Sequence, residues 1–363
     1  MSNQDTTIAI GLSGGVDSSV SALLLKQQGF NVVAMHMQNW TQDQNDPHCS
    51  ASEDLSDARS IADQIGVPLI VVNFAQEYWD RVFQYCLDEF AKARTPNPDI
   101  WCNREIKFNV FLEYAQQHGA DFLATGHYVQ SDKKTEHRLI MGSDPNKDQS
   151  YFLYTLNQHQ LSSSVFPIGQ FLKQDVRRIA SDHGLITAQK KDSTGICFIG
   201  ERRFKTFLQE FLIAKPGAIE SPDGKVLGQH DGVLFYTIGQ RSGLKIGGVC
   251  QHPELPWYVV AKDVKRNVLI AAQGVDHPLL YRTQLSADQV HWVSALPPTL
   301  PLHCQAKIRY RQSPQQCTVN ALPNGRLAVQ FAAPQRAITP GQSVVFYQGT
   351  VCLGGATIED HPQ

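Results

Sequence analysis

The chain has 363 residues, more than one ordinary domain, so two or three separate cores are expected. Its 32 Lys and Arg residues against 34 Asp and Glu residues give a formal charge of −2, which excludes a basic nucleic-acid tail, so any polyanion must meet a local basic surface. The length excludes a small stapled scaffold, and apolar residues at 42% with charged residues at 18% of the chain argue against disorder.

The first third of the chain alternates short apolar runs with helical patterns. This alternation predicts repeated βα units around a mostly parallel sheet, whose ligands lie beyond the carboxyl ends of the strands. The predicted strands cover residues 7–12, 32–37, 69–74 and 122–125. The predicted helices cover residues 16–28, 52–65, 78–93, 108–117, 173–181 and 201–212.

After Lys215-Pro216-Gly217 the pattern changes to short β-type runs at 233–238, 257–260 and 268–272. From about residue 281, alternating runs are separated by Ser-Pro, Asn-Gly and Pro-Gly turns, which predicts a closed antiparallel barrel. We therefore predict an α/β fold with three domains. These are a parallel-sheet catalytic domain over 1–205, a small β-rich central domain over 206–277 and a C-terminal antiparallel β-barrel over 278–363.

Eight dispersed cysteines include no C-x-x-C pair, so neither a zinc ribbon nor an iron–sulfur cluster is indicated and no resident metal is predicted. The N-terminus lacks the basic start and long apolar stretch of a secretory signal. The longest apolar runs are far shorter than the roughly 20 residues of a membrane span. We therefore expect a cytoplasmic protein without membrane contact, whose thiols are reduced.

A glycine-rich loop, S-G-G-V-D-S at residues 13–18, follows the first predicted strand and leads directly into a helix. Its backbone N–H groups and the helix dipole would face one anion site. It has no lysine to hold a β- or γ-phosphate, unlike the loop of kinases and GTPases. An ordinary turn that caps the helix through Ser13 or Asp17 is the alternative interpretation.

This loop resembles the S-G-G-x-D-S loop of the ATP pyrophosphatases, the PP-loop superfamily. The resemblance implies an adenine nucleotide alpha hydrolase-like domain. It also implies cleavage of ATP between the α- and β-phosphates, transfer of AMP to a substrate oxygen, and Mg²⁺ bound with the nucleotide.

Two cysteines lie in loop-like sequence. Cys102 follows a segment with two prolines and two Asx residues, which predicts a shaped loop where a thiol can be exposed. Cys197 lies in a glycine-framed segment just before Arg202 and Arg203, whose charges favour the thiolate. Either cysteine alone is more often an inert thiol. Beside an adenylating site, one can carry a persulfide sulfur while the other resolves the product by disulfide exchange.

Motifs along essentially the whole chain resemble one family, the tRNA-specific 2-thiouridylases (MnmA). These motifs are GLSGGVDSS at 11–19, TPNPD at 95–99 with CN at 102–103, ATGHY at 124–128, KDQSYF at 147–152, DSTGICFIG at 192–200, YTIGQR at 236–241, KIRYR at 307–311 and TPGQ at 339–342. The resemblance implies a tRNA-uridine 2-sulfurtransferase. In that reaction ATP adenylates the C2 oxygen of the wobble uridine, and persulfide sulfur then displaces AMP to give 2-thiouridine.

The resemblance also implies roles for single residues. Cys197 would carry the persulfide, Cys102 would release the product by forming a disulfide with Cys197, and Asp99 would accept a proton or read the target base. A helix cap or Asx turn is the alternative for Asp99, and a packed histidine is the alternative for His127. The implied ATP contacts are Gly11, Leu12, Ser13, Gly14, Gly15, Val16, Asp17, Ser18, Met37 and Gly126. The implied tRNA contacts are Asn97, Pro98, Asp99, His127, Lys147, Asp148, Gln149, Arg309, Tyr310 and Gln342.

Lys307, Arg309 and Arg311 alternate with Ile308 and Tyr310, which predicts three cations on one face of a barrel strand, where they suit phosphate contacts. A solvated strand face is the alternative. The implied substrates are ATP with Mg²⁺ and tRNAs with Lys, Glu or Gln anticodons. The implied sulfur source is a persulfide donor, either a TusE-like sulfur-relay carrier or a cysteine desulfurase. We expect a monomer, because no heptad pattern is present.

Two other functions compete with this interpretation. An ATP-dependent ligase or amidating synthetase could use the same loop, but it would need a glutaminase and would not need Cys102 or Cys197. The β-rich C-terminal domains argue against it. A non-catalytic RNA-binding protein would keep the basic barrel face but would tolerate loss of Asp17 and both cysteines.

Overall fold

The computed structural model describes residues 2–40, 51–192, 204–246 and 255–359. The predicted persulfide carrier Cys197 and the start of the helix predicted at 201–212 lie outside the described residues. Within the described ranges, no helix is long and apolar enough to cross a membrane.

The N-terminal part contains a parallel sheet of five strands in the order β3-β2-β1-β4-β7. Its strands are β1 Thr7–Gly11, β2 Asn31–Gln38, β3 Leu69–Asn73, β4 Phe122–Ala124 and β7 Ser164–Val165. Successive side chains of β1 enter opposite cores, since Ile8 and Ile10 pack in one and Ala9 in the other. The sheet is therefore covered on both faces, as the predicted βα pattern requires.

Helices cover the two faces of this sheet. Those packed in the core with Ile8 are α1 Val16–Gln27, α2 Ala51–Ile65 and α8 Lys173–Asp182. The core with Ala9 includes α3 Ala75–Tyr78, α4 Gln84–Ala91, α6 Phe111–Gln117 and α7 Gln158–Ser162. Short 3₁₀ turns lie at Asn3–Asp5, Ser150–Phe152 and Ile186–Gln189.

The predicted loop around Cys102 is wrong, because this segment is helical. Helix α5, Pro98–Trp101, continues through a π-helical segment, Cys102–Val110, into α6. Asn97 caps α5 by accepting a hydrogen bond from the Asp99 N–H (3.2 Å), and Pro98 occupies the first helical position. Asn and Pro are typical of loops and also of helix starts, and here they start a helix. Cys102 is consequently buried, with 3% of its surface exposed.

The central part begins with α9, Phe204–Leu208, and forms a four-stranded sheet in the order β10-β11-β8-β9. The strands are β8 Gly217–Glu220, β9 Val226–His230, β10 Trp257–Asp263 and β11 Val268–Gln273. The β-type run predicted at 233–238 is wrong, because no strand forms there and its first half is a 3₁₀ turn, Val233–Phe235. This turn follows Gly232, whose φ of 144° favours glycine, and the Phe235 N–H donates to the Gly232 carbonyl.

The C-terminal part is a closed antiparallel barrel, as the sequence predicted. Its strand order is β12-β15-β14-β13-β16-β17, and β12 pairs with β17 to close the barrel. Val319, Val329, Val344 and Phe346 are buried in its core. Its strands are β12 Tyr281–Trp292, β13 Leu302–Lys307, β14 Gln315–Ala321, β15 Leu327–Arg336, β16 Ser343–Gln348 and β17 Val351–Ile358, with 3₁₀ turns at Pro278–Leu280 and Pro323–Gly325.

A hairpin from the N-terminal part extends the barrel sheet. Its strands are β5 Val129–Lys133 and β6 His137–Met141, and β6 pairs antiparallel with β17 at Leu139 and Ile140. This shared sheet fixes the position of the barrel relative to the parallel sheet and brings the segment 142–149 against barrel residues.

Candidate active site

The phosphate loop lies where the strand order of the parallel sheet reverses. Strand β1 lies between β2 and β4, so the loop after Gly11 opens at the switch point where ligands bind in sheets of this type. Met37 is at the carboxyl end of β2, and Gly126 follows β4. A Cβ atom on Gly126 would lie 2.8 Å from the backbone N of Ser18. The sheet therefore brings the predicted ATP contacts to one edge.

The loop is held in shape by its own side chains and by α2. The Ser13 N–H donates to Ser18 Oγ (3.2 Å), and the Ser18 hydroxyl donates to the Gly15 carbonyl (3.0 Å). Gly14 has a φ of 80°, and a Cβ there would lie 2.3 Å from the Asp54 carbonyl oxygen. The first amides of α1 have no acceptor within the helix, so they can face an anion.

A lysine from α8 reaches the phosphate loop, and no motif in the sequence predicts this contact. Lys173 Nζ donates to both carboxylate oxygens of Asp17 (2.7 and 2.8 Å), and the Tyr128 hydroxyl donates to the same carboxylate (2.7 Å). The Lys173 N–H donates to Asp144 Oδ2 (2.9 Å), which fixes the start of α8. The loop thus has a lysine after all, but one 156 residues away in the chain.

Asp192 is the second carboxylate of this cluster. It lies 2.8 Å from Lys173 Nζ and 2.9 Å from a guanidinium nitrogen of Arg177, and Lys147 Nζ donates to it as well (2.5 Å). Burial alone would raise its pKa, but the hydrogen bonds from Lys147 and Lys173 lower the pKa of Asp192 to about 2. Asp192 belongs to the motif at 192–200, and Tyr128 ends the motif at 124–128. The two motifs could therefore have indicated that Asp192 and Tyr128 belong to the site.

The buried helix that carries Cys102 also carries Asp99. Burial raises the pKa of the Asp99 carboxyl, and the nearby Lys107 ammonium lowers it. Cys86 lies in the same environment. Burial first, and then the charges of Glu89, Asp99 and Cys102, raise the pKa of Cys86 to about 12, so Cys86 stays a thiol. Its predicted packing role agrees with its burial.

His127 is a buried neutral histidine. Its Nδ1 lies 2.8 Å from the Thr125 hydroxyl, and its ring centroid is 5.8 Å from that of Phe108. Burial, and secondarily the charge of Lys107, lowers the pKa of His127 well below its usual value. Thr125, Gly126 and His127 therefore contact the phosphate loop on one side and the Cys102 helix on the other.

The predicted tRNA contacts at 147–149 participate in contacts within the protein. Asp148 is buried and accepts a hydrogen bond from Lys307 Nζ (3.0 Å). Gln149 Oε1 accepts a hydrogen bond from the Tyr128 N–H (2.9 Å). Lys147 holds Asp192, as described above, so these three side chains support the site from the side of the barrel.

The predicted barrel contacts also reach the N-terminal part. The Tyr310 hydroxyl donates to the Lys147 carbonyl (3.2 Å). Gln342 Nε2 donates to the Thr95 carbonyl (2.8 Å), just before the helix that holds Asp99 and Cys102. Arg309 is exposed.

The prediction of three cations on one strand face is wrong. Strand β13 ends at Lys307, which is buried and compensated by Asp148. The chain then turns, because the Gln312 N–H donates to the Arg309 carbonyl (3.2 Å), so the period of two does not continue. Arg309 and Arg311 are exposed on this turn.

Profiles of three domain families match the chain. The description "tRNA methyl transferase HUP domain" matches residues 6–201, "tRNA methyl transferase PRC-barrel domain" matches 205–273, and "Aminomethyltransferase beta-barrel domain" matches 282–358. The first match alone covers more than half of the chain. The match to the solved structure of the U34-tRNA thiolase NcsA from Methanococcus maripaludis covers 57% of this chain and 64% of that chain, at 19% identity and a TM-score of 0.37.

Curated relatives match over nearly the full length. The tRNA-specific 2-thiouridylase MnmA of Coxiella burnetii is 60% identical over 356 residues, which cover 98% of this chain and 98% of the relative. The protein of the same name from Vibrio cholerae is 55% identical over 364 residues, which cover 99% of this chain and 97% of the relative. The chain belongs to the family of tRNA-specific 2-thiouridylases.

Proposed function

We propose that this chain converts the wobble uridine of tRNA to 2-thiouridine, with ATP as the activating substrate. One observation carries the proposal. The short segment 125–127 lies between the phosphate loop and the helical segment that carries Asp99 and Cys102. Gly126 approaches the phosphate loop to contact distance. The His127 ring packs near Phe108 of the helical segment. The phosphate loop and the helix of Cys102 therefore adjoin the same three residues, which supports a shared site.

In the first step the uridine C2 oxygen attacks the α-phosphorus of ATP. The new O–P bond forms as the bond from the α-phosphorus to pyrophosphate breaks, and the N3 proton passes to Asp99. The raised pKa of Asp99 suits a group that takes this proton. Amides of the loop and the Lys173 ammonium stabilise the negative charge of the leaving pyrophosphate.

Mg²⁺ would arrive with the nucleotide and neutralise part of the phosphate charge. The phosphate oxygens of the nucleotide would supply most of its ligands, and Asp17 would add a carboxylate oxygen, a donor that Mg²⁺ prefers. Asp17, Asp192 and Lys173 would thus orient the phosphates together.

Sulfur enters in the second step. The terminal sulfur of a persulfide on Cys197 attacks C2, and the bond from C2 to the adenylated oxygen breaks, so AMP leaves. The Cys102 thiolate then attacks the sulfur of Cys197. This releases 2-thiouridine and leaves a disulfide between the two cysteines, which a thiol must reduce with two electrons before the next cycle.

The charge of the barrel supports a polyanionic substrate. Residues 278–363 contain six Lys and Arg against three Asp and Glu, whereas residues 1–205 contain 19 against 24. The net charge of −2 therefore conceals a basic C-terminal part, and electrostatic attraction to tRNA belongs there.

The remaining assignments complete the proposal. Residues 1–205 are the catalytic domain, 206–277 the central domain and 278–363 the tRNA-contacting barrel. The substrates are tRNAs with Lys, Glu or Gln anticodons, and the persulfide comes from a sulfur-relay carrier or a cysteine desulfurase. The protein acts as a monomer in the cytoplasm, where its dispersed cysteines stay reduced.

The test is mass spectrometry of nucleosides from unmodified tRNA incubated with the protein, Mg²⁺, ATP and a persulfide donor. We expect 2-thiouridine from the wild type and none from Cys102→Ser or Cys197→Ser, while Cys86→Ser retains activity. If the wild type releases AMP but forms no 2-thiouridine, the result would agree with the adenylation site and contradict the sulfur transfer.

A further inference from the structure

Two arginines of the barrel meet at a turn of the central part. Gly239 lies in the motif at 236–241 and has a φ of 82°. A Cβ built on Gly239 would lie 2.7 Å from the Ala337 Cβ, 3.4 Å from Nη2 of Arg309 and 3.7 Å from Nη1 of Arg336. Both guanidinium groups therefore border the same small volume, although they lie on different barrel segments.

Neutral groups hold both arginines in place. Arg309 Nη2 donates to the Ala337 carbonyl (2.9 Å), and Arg336 Nε donates to the Val275 carbonyl (3.2 Å). The Arg336 guanidinium also lies 5.0 Å from the ring centroid of Tyr258. In the part of the chain that the structure describes, no carboxylate forms an ion pair with either arginine.

Among the described residues, the two charges therefore remain uncompensated. Arg309 is exposed as a whole residue, but the protein around its guanidinium group displaces water, and this desolvation, followed by the charge of Arg336, lowers the pKa of Arg309. Arg336 Nη2 is buried and has no hydrogen-bond partner among the described residues. Like charges held close together without a counterion are costly, and a bound anion would remove that cost. Guanidinium groups match the oxygens of a phosphate better than any other side chain.

We propose that Arg309 and Arg336 form a phosphate-binding site where the central part meets the barrel, and that this site holds one backbone phosphodiester of the RNA. The proposal rests on the proposed function, which supplies the RNA. Family resemblance implied a tRNA contact for Arg309 alone, whereas the pairing with Arg336 and the turn at Gly239 come from the geometry. Arg309 is exposed, so the site opens to solvent on the basic part of the molecule.

The test measures the affinity of the full-length protein for unmodified tRNA over a series of salt concentrations. Because both arginines hold one phosphate, we expect Arg309→Gln and Arg336→Gln each to weaken binding about tenfold, and the double variant to lose little more than either one. The slope of log affinity against log salt should fall by about one unit in the double variant. ATP affinity should not change.

The matched control is Arg326→Gln in the same barrel. Arg326 already pairs with Glu359 (3.2 Å), so its loss should leave tRNA affinity and the salt slope nearly unchanged. Equal losses in Arg326→Gln and Arg336→Gln, or fully additive losses in the double variant, would overturn the shared site. If Arg336→Gln does not fold, Arg336→Lys keeps the charge without the planar fork and should show a partial loss.

Inorganic phosphate alone distinguishes the two sources of this chemistry. If millimolar phosphate stabilised the wild type but not the double variant, and tRNA affinity were equal in both, the site would serve free phosphate and the RNA assignment would be wrong. If the wild type did not bind tRNA at all, the proposed function itself would fail. If the wild type binds tRNA and the arginine variants bind it with the same affinity, only the arginine site would be overturned.

Discussion

Gly126 shows how closely the residues of the proposed nucleotide site approach one another. A Cβ at this position would lie 2.8 Å from the Ser18 N and 2.9 Å from the Asp17 carbonyl carbon. Gly126→Ala should therefore push the start of α1 away from the strand end and weaken ATP binding at least tenfold, as measured by titration calorimetry. Gly228→Ala is the matched control, because no atom lies within 4 Å of the added carbon. Unchanged ATP affinity in Gly126→Ala would remove Gly126 from the nucleotide site.

The charge of Lys107 should influence the acid limb of the pH profile, the range in which log(kcat/KM) falls as the pH falls. Burial raises the pKa of Asp99 and Lys107 opposes this, so Lys107→Met should raise it further. Asp99 accepts a proton only when ionised, and its ionised fraction falls as pH falls through its pKa. The acid limb of log(kcat/KM) should therefore move to higher pH in Lys107→Met, while the rate on the plateau changes much less.

The control for the Lys107 experiment is Lys133→Met, which removes an exposed lysine of the β5–β6 hairpin. Its acid limb should match that of the wild type. The charged or titratable groups near Asp99 also include Cys86, which stays a thiol across this range. An unshifted acid limb in Lys107→Met would exclude Asp99 as the proton acceptor.

At the residue scale, the sequence predicted the phosphate loop because its pattern is local. Lys173 could not be predicted, since it meets Asp17 only through the packing of α8 on α1. The burial of Cys102 was also missed, because prolines and Asx residues are typical of both loops and helix starts.

At the element scale, a short segment of the barrel holds the residues that lead into the helix of Asp99 and Cys102. The Thr95 N–H donates to the Pro340 carbonyl (2.9 Å), and Gln342 donates to the Thr95 carbonyl. Gly341 has a φ of 88°, and a Cβ there would lie 2.8 Å from the Thr95 N. This contact joins the barrel to the residues that lead into Asn97 and α5.

Gly341→Ala should push these two segments apart. We expect kcat for thiolation to fall at least tenfold, because Asp99 and Cys102 shift, while ATP affinity stays the same. Gly325→Ala is the control, since Gly325 also has a positive φ (74°) but no atom within 4 Å of the added carbon. Equal losses in both variants would mean that backbone strain, and not the contact with Thr95, explains the effect.

The elements themselves were largely predictable from hydrophobic periodicity. Strands β1 to β4 and helices α1, α2 and α8 lie within a few residues of their predicted bounds. The sequence predicts a strand where the turn Val233–Phe235 lies, because periodicity does not identify the structure of so short an apolar run.

At the scale of the whole molecule, a buried ion pair joins the barrel to the N-terminal part. Lys307 and Asp148 retain only 7% and 4% of their side-chain exposure, and the Lys307 ammonium also lies 5.2 Å from the Tyr347 ring centroid. Lys307→Met should lower the free energy of unfolding by about 3–5 kcal/mol, because Asp148 is left buried and charged. Denaturant unfolding followed by circular dichroism measures this loss.

Arg326→Met provides the comparison for this stability experiment. Its pair with Glu359 is more exposed, so its loss should cost less than about 1 kcal/mol. Similar losses in Lys307→Met and Arg326→Met would show that the buried pair contributes no special coupling between the two parts.

The contacts between the three parts could not be predicted from the sequence. The pairing of β6 with β17 joins strands more than 200 residues apart, and nothing in their alternation specifies a partner. The motifs at 147–152, 307–311 and 339–342 marked this junction, but they did not reveal that many of these side chains bond to one another.

Oxygen-18 labelling shows whether the C2 oxygen of the wobble uridine attacks the α-phosphorus of ATP. An anticodon stem-loop with oxygen-18 at C2 of the wobble uridine is incubated with the protein, ATP and a persulfide donor, and the AMP is weighed by mass spectrometry. If the C2 oxygen attacks the α-phosphorus, the AMP gains the label and becomes about two mass units heavier. The amount of labelled AMP should then equal the amount of 2-thiouridine formed. Unlabelled AMP accompanying 2-thiouridine would contradict activation at the C2 oxygen.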